Sequence, residues 1–597
     1  MRFRFPYKHD ELPVDGNQPP ADNEAFAEKG AEKGAESRPA EVGNEKDNGS
    51  DVVNADFQHG VQAAQAMTQV WSFSHIVAAY ILIWIIHFIM AFASGMISNL
   101  TPFVTSAFAE HSLTATTSII SSLASGLIKL PYAKLMDIWG RPQGFAVMVF
   151  SMTIGLIMMA GCKNVETYCA AQVFYQIGYT GLDFTMTIFI ADTSKLKNRA
   201  FWIAFVASPY IATVWAYGPA ADSTLSTIGF RWGFGIWAIV VPVVSAPLFF
   251  LFYYNQRKAE KMGLIPKHES NRTKLQSVIH YTKEFDLIGI FIFALGLALF
   301  LLAFNLYTKQ ANEWRSPLII CFLIFGGLLI IGFIFYEKYL APITFIPWEL
   351  LKNRTVIFTY TMAASIYIAW YIWDNYFYSM LLVVYNQDVT KASYISNIYT
   401  VGSSFWSIVM GIVIRYNGRL KWQALYFGVP ITILGVALMI HFRHAGVDIG
   451  YIVMCQIFIA FGGGTLVICE QMTVMAVSRQ QDIPAVLAAE GMFANIGSAV
   501  GSSIAAAMWT GIFPNKLKEN LPASAQKDLA TIYGSVEAQY GYPVGSPERD
   551  AINLSYSQTQ RFMLIAATCL YSITLVSVML WKDVNVKKIH QVKGRVF

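Results

Sequence analysis

Charge is scarce in this chain: Asp, Glu, Lys and Arg make up 14% of its 597 residues, against about a quarter in soluble domains. Beside a hydrophobic content of 55%, that scarcity excludes an ordinary soluble protein and requires many membrane spans. The formal net charge of +5 is too small to suggest a nucleic-acid partner. Cysteine is sparse as well. Six are scattered, four of them (Cys321, Cys455, Cys469, Cys569) inside apolar runs, with no CxxC pair and no Cys/His cluster. Neither a disulfide framework nor a metal site is read from them. Cys162 and Cys169 flank one loop, and a bridge between them stays open. A nucleotide loop is also missing, because Gly462-Gly463-Gly464-Thr465 lacks the lysine that would cradle phosphates. Any work against a gradient must draw on an ion gradient or the solute's own. No cofactor and no enzyme activity are read.

Residues 1–70 are poor in large apolar side chains and rich in Ala, Glu, Lys, Gly and Asn. Such a segment buries too little surface to offset its ordering entropy and reads as a disordered cytosolic tail. A span needs about 20 mostly apolar residues, and fourteen runs between residues 73 and 581 qualify. Basic residues set the orientation. The loop at 256–284 alone holds Arg257, Lys258, Lys261, Lys267, Arg272, Lys274 and Lys283, while the short odd-numbered loops hold only Lys163, Arg231, Lys309, Arg315, Lys391 and Arg443. Both termini and the even-numbered loops are therefore expected in the cytoplasm.

A turn after the second span reads Ala133-Lys134-Leu135-Met136-Asp137-Ile138-Trp139-Gly140-Arg141-Pro142. A degenerate copy, Arg415-Tyr416-Asn417-Gly418-Arg419-Leu420-Lys421, follows the tenth. Asp followed by Gly-Arg in this loop resembles the signature of the major facilitator superfamily. Its repetition implies two related halves and alternating access around a central site. The expected fold is an all-α membrane protein with 14 transmembrane helices in a 6+2+6 plan. The N-terminal six-helix half covers 71–255, two inserted helices 285–337, and the C-terminal half 354–511 with 560–581. An extracellular loop covers 512–559 and a short cytosolic tail 582–597. Asp137, Gly140, Arg141, Gly418, Arg419, Asp192 and Arg199 are the candidate conformational gate.

Ionisable residues inside spans are costly and mark function. Asp183, Asp374, Glu470 and Glu490 qualify, with His87 as a further proton carrier. Burial favours the protonated carboxyl, which suits a group that loads a proton on one side and releases it on the other. Asp374 and Glu490 lead; Glu470 has the alternative of pairing with Arg479. Tyr367, Trp370, Tyr371, Trp373, Tyr376, Phe377 and Tyr378 form an aromatic run too dense for a lipid belt alone. That run predicts a cavity wall suited to a bulky, partly apolar solute. Phe513, Tyr533, Tyr540, Tyr542 and Tyr556 sit in the long loop, expected either as a lid or as a connector, and Asn553-Leu554-Ser555 is a glycan acceptor pattern there.

Four stretches resemble the fungal siderophore-iron transporters, a fourteen-helix branch of the superfamily. They are Ile190-Ala191-Asp192-Thr193-Ser194-Lys195, Phe230-Arg231-Trp232-Gly233, Ile504 to Thr510, and Tyr542-Pro543-Val544-Gly545-Ser546-Pro547-Glu548-Arg549. The resemblance covers about residues 72–582 and implies a proton-coupled importer of ferric hydroxamate siderophores. It implies a monomer in the plasma membrane, with passage through endosomal vesicles open. Iron would travel only as the chelate, with protons and the lipid bilayer as the other partners. Lid tyrosines of that family would correspond to Tyr540, Tyr542 and Tyr556. A proton-coupled glutathione exchanger shares the Gly545-Ser546-Pro547-Glu548-Arg549-Asp550 pattern and remains an alternative. So does a drug/proton antiporter, which Gly218-Pro219 loosely resembles, and more remotely a non-transporting nutrient receptor.

Overall fold

A computed structural model describes residues 59–107, 114–264, 273–307, 310, 312–341 and 351–589. Among them all regular structure is helical, apart from one isolated bridge between Arg419 and Asn585. Twelve segments, from Phe73–Leu100 to Pro547–Met579, are long and apolar enough to cross a membrane. Two further helices, Thr114–Trp139 and Val165–Thr193, are 26 and 29 residues long and pack in the same bundle. Their hydropathy is diluted by residues such as Lys129, Lys134 and Asp137 in the first and Gln172, Gln176 and Asp183 in the second. Polar groups of this kind turn inward in membrane bundles.

The helices up to Lys261 form the first half of the bundle and those from Arg354 onward the second. Thr114–Trp139 packs on Ile483–Asn520, and Leu196–Val206 on Ile398–Asn417, so both pairs cross from one half to the other. Glycine permits this closeness. A Cβ at Gly411 would lie 2.7 Å from the Phe201 Cα, and one at Gly126 2.8 Å from the Asn495 Cβ. Glycines act similarly within the second half, where a Cβ at Gly464 would lie 2.7 Å from the Ser403 carbonyl oxygen and one at Gly501 2.6 Å from that of Ile368. The inserted pair, Leu287–Leu306 and Pro317–Tyr339, lies over one seam. Leu297 and Leu301 bury against Leu123 of the first half and Ala499 of the second, while Ile324, Phe325 and Leu328 point outward.

Several boundaries differ from those read in the sequence. His59–Val70, assigned to the tail, is a helix whose Ala63, Ala66, Met67 and Val70 are buried against the Thr114–Trp139 and Gly229–Lys261 helices. Their i, i+3, i+4, i+7 spacing is an amphipathic pattern that the acidic composition upstream obscured. The rest of the tail, 1–58, lies outside the described residues. The long loop is shorter than 512–559, because the Ile483–Asn520 helix runs on through it and Pro547–Met579 begins inside it. Only 521–546 connects them, carrying the short helices Leu529–Gly534 and Val536–Gly541. Asn553-Leu554-Ser555 is thereby helical, and Ser555 is fully buried, which takes the pattern out of reach of glycan transfer. At the other terminus, 582–589 is not a free tail: Val586 is buried and its amide donates to the Gly418 carbonyl at 2.9 Å. Residues 590–597 lie outside the described residues.

Candidate functional site

Between the halves lies a cavity of about 430 Å³, within the range typical of ligand sites. The first half contributes His87, Asp183, Thr187 and Tyr210; the second contributes Tyr367, Trp370, Tyr399, Ser403, Ser404, Ser407 and Gln471. Among the described residues that line it there is no lysine or arginine. His87 Nε2 lies 3.3 Å from Asp183 Oδ1, and Nδ1 lies 3.0 Å from the Ile83 carbonyl oxygen. The contact with the Ile83 carbonyl orients the ring so that Nε2 faces the Asp183 carboxylate, placing an imidazole and a carboxyl side by side on the cavity wall.

The aromatic run divides by helical geometry. Tyr367 and Trp370, three residues apart, face the cavity, and Trp370 meets Tyr399 at 5.5 Å between ring centroids. Tyr371 packs edge-on against Trp370 outside the lining. Trp373 and Phe377 are fully buried elsewhere, Tyr376 stacks on Trp509 at 4.2 Å, and Tyr378 is exposed. Five of the seven aromatics expected in the wall thus have other surroundings. The helix ends at Asp374 and restarts at Phe377. Arg443 donates to the Trp373 carbonyl at 2.9 Å and sits 4.5 Å above the Phe377 ring, while Gln560 donates to the Tyr376 carbonyl at 3.2 Å. These donors take up the carbonyls that the break releases. Arg443 had been read as a loop cation. It is 1% exposed, and Asp374 lies within its electrostatic reach rather than in the cavity lining.

The remaining carboxyls form a second site. Glu470 and Glu490, 1% and 6% exposed, interact with one another, and Tyr367 on the cavity wall is within electrostatic reach of both. Glu470 does not pair with Arg479, which instead binds Asp482 at 2.9 Å. Among the described residues no group of three or more His, Cys, Asp or Glu could hold a metal ion, and all six cysteines are free thiols.

On the side of the 133–142 turn, Arg141 gathers the gate. It reaches Asp137 at 2.9 Å, the Met136 carbonyl at 3.1 Å and Asp192 at 3.3 Å. Asp192 in turn accepts from Gln480 of the other half at 3.3 Å. Gly140 makes the turn at φ 105°, a conformation open to glycine at little cost. Arg199 does not bond Asp192; it donates to the Ala191 and Ser194 carbonyls and touches the Met475 sulfur across the seam. The second copy keeps the turn, with Gly418 at φ 77°, but Arg415 stands where the first copy has the acid. Arg419 bridges to Asn585, and Lys421 caps the Met579 and Trp581 carbonyls at 2.7 and 2.8 Å. This copy staples the chain end rather than latching the halves.

At the opposite end, 521–546 folds into a cap with its own core. Phe513 is fully buried, stacked on Trp509 at 4.2 Å, and Tyr556 donates to Gln539 at 2.7 Å. Tyr533 and Tyr542 are half-buried, and Tyr540 is exposed. None of the five lines the cavity. Arg549, 1% exposed, donates to the carbonyls of Val383 (2.7 and 3.1 Å), Gln539 (3.2 Å) and Tyr542 (3.0 Å), tying the cap to the helix beyond Asp374. The polar stripe Tyr399, Ser403, Ser404 and Ser407 went unremarked in the sequence, although its spacing sets one polar face on an apolar span.

Comparison with known proteins agrees with this architecture. The profile of the Major Facilitator Superfamily matches residues 83–502. The MFS siderochrome iron transporter 1 of Ajellomyces capsulatus is 56% identical over 92% of this chain and 93% of its own. Siderochrome iron transporter 2 of Aspergillus fumigatus is 44% identical over 91% and 89%. Siderophore iron transporter 1 of Schizosaccharomyces pombe is 34% identical over 91% and 87%. In fold, the chain is similar to the outward-facing crystal structure of a bacterial homologue of the iron transporter ferroportin. The TM-score is 0.50 with 9% identity, over 83% of this chain and 98% of that one. The chain belongs to the major facilitator superfamily and, within it, to the fungal siderophore-iron transporters, a family of carriers and not of enzymes.

Proposed function

We propose that this protein imports ferric hydroxamate siderophores by proton-coupled alternating access. The carrying observation is the His87–Asp183 pair, an imidazole and a carboxyl in contact at the wall of an aromatic, hydroxyl-lined cavity shared by both halves. A chelate arrives with iron already enclosed by its own oxygens, so the carrier has only to hold a bulky, partly apolar shell. Trp370 and Tyr399 offer faces to that shell, and Tyr210, Ser404 and Gln471 offer hydrogen bonds. The relatives named as siderophore or siderochrome iron transporters support the substrate class.

In this reading Thr114–Trp139 and Val165–Thr193 also cross the bilayer, giving fourteen spans, and the basic loops place both termini in the cytoplasm. The protein works as a monomer at the plasma membrane. The Arg141–Asp192–Gln480 chain closes the cytoplasmic side, and its release opens the cavity inward. His87 and Asp183 exchange protons with the substrate cavity, Glu490 and Glu470 form the buried store, and Asp374 answers to Arg443 at the outer break. Glutathione, an anion, would want a cation in the cavity wall, and none of the described lining residues supplies one.

The test is uptake of iron-55 on a panel of hydroxamate siderophores, in cells lacking other carriers, with and without a protonophore. Protonophore-sensitive accumulation of one or two of them is expected. No uptake of any from protein shown to be at the cell surface overturns the reading and points to export or thiol-peptide exchange.

A further inference from the structure

Lys129 is a cation on a helix of the first half, half-buried at the seam. Its ammonium lies directly over Gly491 of the second half: a Cβ built on that glycine would be 2.2 Å from Nζ. The absence of a side chain at 491 is therefore what seats the lysine. Four residues along the same seam, Gly126 packs on Asn495 in the same way. Next to that seat is Glu490, 6% exposed, which Lys129 attracts. Behind it, Glu470 is 1% exposed and hydrogen-bonds Glu490, an arrangement that requires a proton on one of the two carboxyls. Lys129 forms no direct ion pair among the described residues, so its charge is met across a short gap rather than by a closed bridge.

The surroundings contain few other charges. From the first half, Asp183 on the cavity wall acts on Lys129. From the second half, Tyr360 feels Glu490, Tyr367 feels both glutamates, and Cys469 adjoins Glu470. Tyr360 itself donates to the Val486 carbonyl at 3.1 Å and is not free to compensate a glutamate. Three titratable groups of opposite sign thus sit on three helices, Lys129 on one half and Glu490 and Glu470 on the other, one layer behind the cavity.

We infer that Lys129 is the counter-charge through which the two halves sense the protonation of Glu490. With Glu490 ionised, attraction across the seam holds Thr114–Trp139 on Ile483–Asn520. When Glu490 takes up a proton the ammonium loses its negative partner at the contact, Asp183 on the cavity wall alone still acts on it, and the seam loosens. Partial burial sharpens this, because a charge without a close partner in a low-dielectric seam is disfavoured. Glu470, adjoining Glu490, competes for the same proton and keeps the two carboxyls from ionising together. Lys129 is a positioning residue in this scheme: it touches neither substrate nor cavity, and acts through Glu490. The inference rests on the proton-coupled reading above.

Two measurements test it separately from that reading. In substrate-free purified protein, spin labels at Lys197 and Tyr416, exposed residues at the gate side of the two halves, report the inter-half distance as pH is lowered. We expect wild type to shift from a short to a long distance population, and Glu490→Gln to show the long population at every pH. Lys129→Met should lose the pH response, and the double variant Lys129→Met/Glu490→Gln, which removes both charges, should return to the short population. The double variant also guards against a lysine variant that simply misfolds. A pH response in Lys129→Met equal to wild type overturns the inference whatever the substrate proves to be. In cells, Lys129→Met should abolish the acid stimulation of iron-55 siderophore uptake while Lys129→Arg retains it. Unchanged acid stimulation in Lys129→Met also overturns the inference, without touching the substrate assignment.

Discussion

Arg549→Met keeps an unbranched, largely apolar stem and removes every donor. In the intact protein the guanidinium satisfies three carbonyls, those of Val383, Gln539 and Tyr542, from a site 1% exposed. Hydrogen bonds from a charged donor contribute about 1.5–3 kcal/mol each, and a buried acceptor left without a partner costs about 1–3 kcal/mol. Water at the rim can reach part of the cap once it loosens, so the low end applies, about 1 kcal/mol per carbonyl and about 3 kcal/mol in all. At about 1.4 kcal/mol per factor of ten, that is roughly a hundredfold rise in the open population of the cap. Hydrogen exchange of the amides in 521–546 reads this opening directly, since local unfolding sets their protection. The expected outcome is loss of about two orders of magnitude in protection there, with the Arg141–Gly161 helix unchanged. Arg549→Lys, a point charge able to meet only part of the set, should fall between. Loss of protection spread evenly over the molecule, or none in the cap, would refute the assignment of Arg549 as its tie.

Gly178→Ala places a Cβ 2.3 Å from the Met152 backbone nitrogen, where nothing flexible can yield. Overpacking of this kind costs about 1–3 kcal/mol or more, so the detergent-solubilised variant should unfold at a clearly lower temperature, and an unchanged Tm would contradict the close packing of Arg141–Gly161 on Val165–Thr193. Arg141→Lys preserves charge but not the reach to Asp137, Asp192 and the Met136 carbonyl together. Uptake should slow several-fold while binding to purified protein stays as in wild type; equal losses in both would show that the gate also shapes the cavity.

The all-helical membrane fold was legible because apolar length is a strong signal and the glycine turn after the second span carries a family pattern. Boundaries were less legible. Ile483–Asn520 continues well past its apolar stretch because the cap supplies partners for Phe513 and Leu517, which no window of hydropathy reveals. Ala63, Ala66, Met67 and Val70 carried a readable helical spacing that the surrounding acidic composition masked. For the site, Tyr367 and Trp370, expected in a cavity wall, line the cavity, and so do Asp183 and His87, which had been named as proton carriers. Asp374 was favoured for its aromatic neighbours, but two of them, Trp373 and Phe377, pack around Arg443, and a cation counted as a loop residue gave no warning of that. The second glycine turn was read as a gate because the motif is local, whereas its partner, Asn585, is distant in sequence. Lys129 shows the same limit: a lysine in a span is visible, but the glycine that seats it lies on another helix.

The central claim is that the cavity between the halves is where the ferric siderophore sits. Ser404→Trp fills that cavity from a residue on its wall with a bulky ring and leaves the His87–Asp183 pair and the gate untouched. Binding of a ferric hydroxamate siderophore to purified protein, measured by calorimetry for wild type and this variant, tests the claim most directly. The account predicts saturable binding by wild type and none by the variant, at equal Tm. Undiminished binding by a correctly folded Ser404→Trp protein would contradict it.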